Sequence, residues 1–344
     1  MKTRMLTLAT LTLLLTLGAA RAADACPQIV QAALDAANRF CQKTGRNQAC
    51  YGHIAMDADP QPGAANFRFE QEGDIVNVRD LKKLRLSSMD EASGEWGVAL
   101  LRLQANLPDT LPGQNVTFLM FGDVEITDAV QPGDTSLRPM QSFYLRTGIG
   151  DSQCDQAPES GLLVQTPQGA GEIKLTINEV DVQLGSTVLF QGDPDSDGRM
   201  NVTTIEGAAF LNVGDRQQPV VAGLQANLPA RGGGRILPAP AAPAPTEGPS
   251  PTPGPTPTVD ILSLPSGGGA LTPKVVLQAY NARKLRSLPL RLLQRQVSVA
   301  PPLTPRQLAE MQARIENNLP LCGVPLFPSC DVFETTPEAT AAPG

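Results

Sequence analysis

Asp193-Pro194-Asp195-Ser196-Asp197-Gly198 is the stretch whose residue types and spacing come closest to a chemical site. Carboxylates at alternate positions with a glycine at the sixth are what a calcium loop uses: short acidic side chains converge on one hard cation, and glycine permits the sharp bend. Asn201 falls at the ninth position, but the twelfth is Thr204, where a bidentate glutamate would complete the shell. The same residues also make an ordinary acidic hairpin turn. Asp193, Asp195, Asp197 and Asn201 are thus a candidate calcium set, and no other cofactor is expected.

Nucleophilic or acid–base catalysis finds little support. His53 is the sole histidine, with no Cys or carboxylate cluster at ligand spacing around it. A glycosidase needs only two carboxylates. Asp123 with Glu125, and Glu179 with Asp181, would each share one face of a strand. Alternating acids on a strand usually form its solvated face, and three Tyr and one Trp leave few platforms for stacking a sugar. The expectation is a protein that is not an enzyme, with a carboxylate-based hydrolase as the least favoured alternative.

Six cysteines remain, Cys26, Cys41, Cys50, Cys154, Cys322 and Cys330. An even count without companion histidines reads as three disulfides rather than a metal site. If residues 27–43 are helical, Cys26 and Cys41 lie roughly 22 Å apart and cannot bond each other. Cys322 with Cys330 is the favoured local pair, and Cys154 then reaches one of the three N-terminal cysteines. Disulfides agree with the start of the chain. Lys2 and Arg4 precede an apolar run, Met5 to Leu17, and Ala20-Arg21-Ala22 has a small-x-small cleavage pattern. Residues 1–22 therefore read as a secretory signal peptide, and the expected location is secreted or extracytoplasmic. No later run of apolar residues is long enough for a transmembrane span.

Removing residues 1–22 takes away three cations and moves the net charge from −7 to −10. From Asp24 to Ala230 there are 27 acids against 14 bases, whereas Lys274 to Arg306 holds seven bases and no acid. An acidic chain poor in aromatics is a poor nucleic-acid binder. The basic stretch is interleaved with leucines that need cover, so it is expected to dock in cis on the acidic domain.

The elements that must position these residues are mostly strands. A helix is expected over 27–43, with Pro27 in its first turn and a stripe of Val30, Ala33, Leu34, Ala37 and Cys41. Strands are expected over 65–69, 97–103, 116–126, 141–146, 162–165, 172–177, 180–191, 199–213 and 218–228. Leu-Gln-Ala-Asn-Leu-Pro occurs twice, at Leu103–Pro108 and Leu224–Pro229, without flanking similarity. Residues 231–272 form a Pro/Gly-rich linker. After it, helices are expected from Pro273 to about Arg286, and from Pro305 to Asn318 with Thr304 as N-cap and Gln307 closing a capping box. The fold class that follows is mainly β: an antiparallel sandwich or barrel-like domain over 23–230 pinned by disulfides, with an N-terminal helix. The linker leads to a basic tail over 273–333 with two short helices, and 334–344 is expected to be disordered.

The stretch 171–229 resembles a FecR-type extracytoplasmic β domain. The resemblance rests on Gly185-Ser186-Thr187-Val188, on the strand from Met200 that ends in Glu206-Gly207, and on the turn at Val221-Ala222-Gly223. Gly45 to Gly52 and Leu107 to Thr117 are similar to stretches of secreted bacterial proteins of unassigned function. The FecR resemblance implies a β scaffold rather than a reaction. The chain departs from the FecR regulators in showing neither a transmembrane anchor nor a sigma-factor-binding region, so signalling by the same route is not expected. The expected function is a non-catalytic, secreted or envelope-associated binding or structural module for an envelope protein or polysaccharide. A calcium-dependent surface or polysaccharide-binding protein is the alternative.

Overall fold

The computed structural model describes residues 25–107, 114–131, 133–148, 154, 156–167, 169, 172–185, 187–192, 199–214, 216–228, 275–317, 319 and 321. Residues 1–22, read as a signal peptide, residues 231–272, read as a linker, residues 193–198, Cys322, Cys330 and the segment 334–344 lie outside them. Helix α1 (Ala25–Phe40) opens the described chain. It is followed by β1 (Gln48–His53), β2 (Met56–Pro60), β3 (Ile75–Asn77), β4 (Leu81–Leu86), β5 (Val98–Leu103), β6 (Val116–Phe121), β7 (Val124–Asp128) and β8 (Ser142–Thr147). Next come β9 (Gly161–Gln165), β10 (Ile173–Ile177), β11 (Val180–Leu184), β12 (Thr187–Gly192), β13 (Met200–Glu206), β14 (Ala208–Val213), β15 (Arg216–Val221) and β16 (Leu224–Leu228). Beyond the linker lie β17 (Val276–Ala279) and α2 (Pro305–Glu316).

The strands form two sheets stacked as a sandwich. The first runs β17-β16-β13-β12-β9-β6-β5-β1-β3 and the second β15-β14-β11-β10-β8-β7-β4-β2. The pairs are antiparallel apart from β8 with β10. Side-chain pattern tells the two sheets apart. On β7, β10 and β11 buried and more open positions alternate, so one face meets the core and the other water. On β6 and β9 every residue is buried. Such strands need cover on both sides, and they have it. Leu101, Phe118, Met120, Leu162 and Val164 point into the main core with Leu84, Ile126, Phe143 and Val182. Their chain neighbours Leu100, Leu119, Phe121 and Leu163 point the other way, into a second core with α1 and the tail. The molecule is three layers: α1 with the first part of the tail, first sheet, second sheet.

Several chain segments cross from one sheet to the other with a gap of one or two residues. β6 becomes β7 at Gly122-Asp123, β13 becomes β14 at Gly207, and β15 becomes β16 at Ala222-Gly223. The long strands expected at 116–126, 180–191, 199–213 and 218–228 are therefore each two strands around a corner. The 65–69 strand is absent. Its alternating Phe67 and Phe69 instead fold an irregular loop onto the core, with Phe69 against Tyr51 at 5.3 Å between ring centroids.

Helix α1 ends at Phe40 and continues as a tight turn, Cys41–Lys43, closed by Thr44 Oγ1 donating to Cys41 O at 2.8 Å. Its buried stripe begins at Ile29 rather than Val30. Disulfides hold both of its ends, Cys26–Cys154 with Cα atoms 6.2 Å apart and Cys41–Cys50 at 5.6 Å.

The tail differs from expectation in its first half. Residues 273–286 do not form a helix: Val276–Ala279 is a strand and turns follow. β16 otherwise ends the first sheet with unpaired backbone groups, and Val275-Val276-Leu277 fits that edge better than a helix. The second helix does form, with Thr304 and Gln307 closing the capping box and Met311 buried in the main core. The tail thus carries one α-helix among the described residues, with a single 3-10 turn at Leu290–Leu292 before it.

The repeated hexapeptide takes two conformations. In the first copy Leu103 ends β5 and the chain turns through Ala105 at φ +47; in the second, Leu224–Leu228 is all strand. The repeat marks no structural duplication.

One buried carboxylate locks the connection from β7 to β8. Asp128 accepts from Gln61 Nε2 at 2.8 Å and from the backbone N–H of Met140 at 3.2 Å and Val130 at 3.4 Å. Burial raises its pKa, against the lowering pull of those N–H groups and Lys82. The folded state therefore binds the Asp128 proton more tightly than the unfolded chain does, and the buried charge costs stability at neutral pH. That cost is removed as pH falls through the raised pKa toward the ordinary carboxylate value. Urea unfolding of wild type and Asp128→Asn at pH 7 and pH 4 is expected to move in favour of wild type at the lower pH.

Candidate functional site

Among the described residues, those singled out for chemistry do not assemble into one site. Asp193, Asp195 and Asp197 lie outside the described residues, and Asn201 is on β13, in register with Gln191 and Asn227. Among the described residues no group of three His, Cys, Asp or Glu could hold a metal. His53 is buried, with Nδ1 donating to Trp96 O at 2.9 Å and Nε2 3.7 Å from Glu72 Oε1. A carbonyl against Nδ1 requires the proton there, which leaves Nε2 to face the acid. Asp123 is buried at the β6–β7 corner, whereas Glu125 is on β7 with Lys83 Nζ at 2.9 Å. Glu179 occupies a turn and accepts from Tyr144 Oη at 3.3 Å, while Asp181 accepts from Thr176 Oγ1 at 2.8 Å. Glu125, Glu179 and Asp181 each have a local side-chain partner.

What the structure does assemble is the outer face of the first sheet. Register places Gln48, Arg102, Thr117, Gln165, Thr187 and Glu206 side by side on β1, β5, β6, β9, β12 and β13. This polar row crosses six strands at one end of a face whose centre is apolar, with Leu100, Leu119, Leu163 and Leu189. Most of it is covered: Gln165 is 2% exposed, Thr117 1% and Thr187 0%. A buried polar row must find partners or leave hydrogen bonds unmade.

The tail supplies partners for one half. Gln165 grips the backbone at Arg295 from both sides, its Nε2 donating to Arg295 O at 2.9 Å and its Oε1 accepting from Arg295 N at 2.9 Å. The Arg295 guanidinium meets Glu206 Oε2 at 2.6 Å and lies 3.5 Å from Thr187 Oγ1. Before this point β17 pairs with β16, Leu277 opposite Ala226 and Ala279 opposite Leu224. Tyr280, Leu285, Leu288 and Leu293 then bury themselves on the sheet. After it, Ala300 N donates to Ile205 O, and the Tyr280 hydroxyl donates to Ala300 O, closing the segment on itself. A small cleft of about 20 Å³ remains between the strands and this segment, lined among others by Gln191, Thr203, Gln225, Tyr280 and Leu288.

Charge contributes unequally. Arg291–Asp35 and Lys284–Glu159 are about half exposed on both partners, so each adds about 0–1 kcal/mol. Arg295–Glu206 is more sheltered, at 29% and 26% exposure. Apolar cover and the Gln165 grip carry the attachment. The leucines that need cover are legible in the sequence; the Gln165 grip is not, although Gln165 ends a wholly buried strand with a polar residue.

The fold and this face define a class, a β-sandwich that holds an extended basic segment along one sheet edge and across one sheet face. Comparison with known protein families, with curated proteins and with solved structures returns no match.

Proposed function

We propose that the protein is a non-catalytic, exported binding module of FecR-like β architecture, whose first sheet accepts an extended basic polypeptide from an envelope partner. The observation that carries this reading is the tail's mode of attachment. Backbone pairing on β16, apolar anchors, a side-chain amide gripping the main chain and an arginine on a carboxylate are the parts of strand-addition peptide recognition. The chain's own tail fills the surface and reports what it accepts. Two disulfides, and the absence of any helix long and apolar enough to cross a membrane among the described residues, accord with export. The FecR-like motifs support a scaffold role, since Gly185, Glu206-Gly207 and Ala222-Gly223 all fall at sheet corners or turns.

The test uses the full chain with a protease site placed between residues 231 and 272. After cleavage, a labelled synthetic peptide of residues 274–300 is expected to exchange onto the protein saturably. Arg295→Ala in the peptide, or Glu206→Gln in the protein, should weaken binding about tenfold, the loss of one sheltered charge-assisted contact. A peptide that never exchanges, or exchanges equally well without Arg295, overturns the proposal.

A further inference from the structure

We infer that the Arg102 end of the polar row is a binding site for a small oxyanion, held by Arg102 and Thr117 between β5 and β6. The site is separate from the peptide surface and does not depend on it. At the Glu206 end of the row a charge on the sheet meets its opposite, because the tail delivers Arg295. At the other end Arg102 has no carboxylate partner among the described residues. Its guanidinium makes one hydrogen bond, Nη1 to Thr44 O at 2.6 Å, and its Nε is buried with no partner. Thr117, directly across the strand pair, buries a hydroxyl that also has none. An Nε–H and a hydroxyl left unpaired on register neighbours are two donors able to meet one acceptor.

The surroundings match an anion. Burial lowers the Arg102 pKa without any balancing acid, which marks a desolvated cation lacking its counter-charge. Arg46 places a second guanidinium at the approach to β6, two residues before Thr117, bonded to Gln114 O at 2.9 Å and to Asn115 Oδ1 at 3.3 Å. On a chain of net charge −7 this pairing of arginines stands out. A planar guanidinium edge with a neighbouring hydroxyl suits a sulfate, a phosphate or a carboxylate, whose oxygens accept two donors at once.

The test is thermal unfolding of the mature chain in 10 mM sodium sulfate, with chloride matching the ionic strength in the reference so that general salt effects cancel. The midpoint should rise by about 5 °C at a hundredfold excess over the dissociation constant. Arg102→Gln should abolish the rise, and Arg79→Gln, an exposed arginine elsewhere, should keep it. Thr117→Val is the sharper variant: it should melt at least as high as wild type in chloride, because an unpaired buried hydroxyl is gone, yet lose most of the sulfate response. If Arg102→Gln does not fold, Arg102→Lys keeps the charge without the planar edge and should respond several-fold less. An acetate arm assigns the source, a response there extending the site to carboxylates and none restricting it to tetrahedral anions; both support the proposal. No sulfate shift in wild type, as expected if one water bridges the two groups, overturns it. So does an equal shift in Thr117→Val.

Discussion

Replacing Cys26 and Cys154 together with serine is expected to lower the unfolding free energy by about 5 kcal/mol. The bond joins residues 128 apart in sequence, and chain-entropy arguments make the loss grow with the logarithm of that loop. The Cys41–Cys50 bond closes a separation of 9, for which the same relation gives about 2.5 kcal/mol. The ratio is the informative quantity. Both bonds secure α1, one at each end, so a purely local packing role would make their removal cost similar amounts. Urea unfolding of the two double variants under oxidising conditions separates the accounts. A larger loss for Cys41 with Cys50 would show that docking of the helix end, not restriction of the unfolded chain, dominates.

Gly122→Ala is expected to cost about 3 kcal/mol, from two sources. Gly122 turns the chain from the first sheet to the second at φ +74, a conformation that costs an L-residue about 1–2 kcal/mol. A methyl there would also land on Ser160, whose Oγ accepts from Asp123 N at 2.7 Å and is buried. Displacing Ser160 strands that N–H at a further cost of about 1–3 kcal/mol. Gly133→Ala supplies the comparison: its φ is +87, but an added methyl meets nothing within 4 Å. It should cost only about 1 kcal/mol. Equal effects on the urea midpoint of the two variants would remove Ser160 from the explanation.

These two sites also show how far the sequence could be read. Val116 to Ile126 looks like one long strand because hydrophobic periodicity persists straight through Gly122; a corner alters which sheet a residue serves without disturbing the pattern. Strands β1 to β4 went unrecognised for a related reason. Leu81-Lys82-Lys83-Leu84-Arg85-Leu86 carries three cations in six residues, and only partners such as Glu125 across the sheet make them neutral neighbours. Where the signal is local it was legible: Thr304 and Gln307 predict the start of α2, since a capping box is completed within four residues. The 273–286 segment failed because its conformation is decided by the β16 edge, a surface that exists only once the sheet is built. The polar row is invisible to any one-dimensional reading. Arg102 and Thr117 become neighbours through register alone, and Gln165 acquires its purpose from Arg295, 130 residues later.

The Cys26–Cys154 bond has a mechanical consequence. Tension applied between the first and last parts of the mature chain passes directly from residue 26 to residue 154. The intervening segment, with β1 to β8 and the Cys41–Cys50 bond, is short-circuited and bears no load as a chain. At about 3.5 Å per extended residue, the bond withholds roughly 450 Å of contour length from a fully stretched molecule. Pulled from the C-terminal side, the tail and then β16 onward would peel first, leaving half of the sandwich under covalent lock. The arrangement is a built-in limit on how far the chain extends under load.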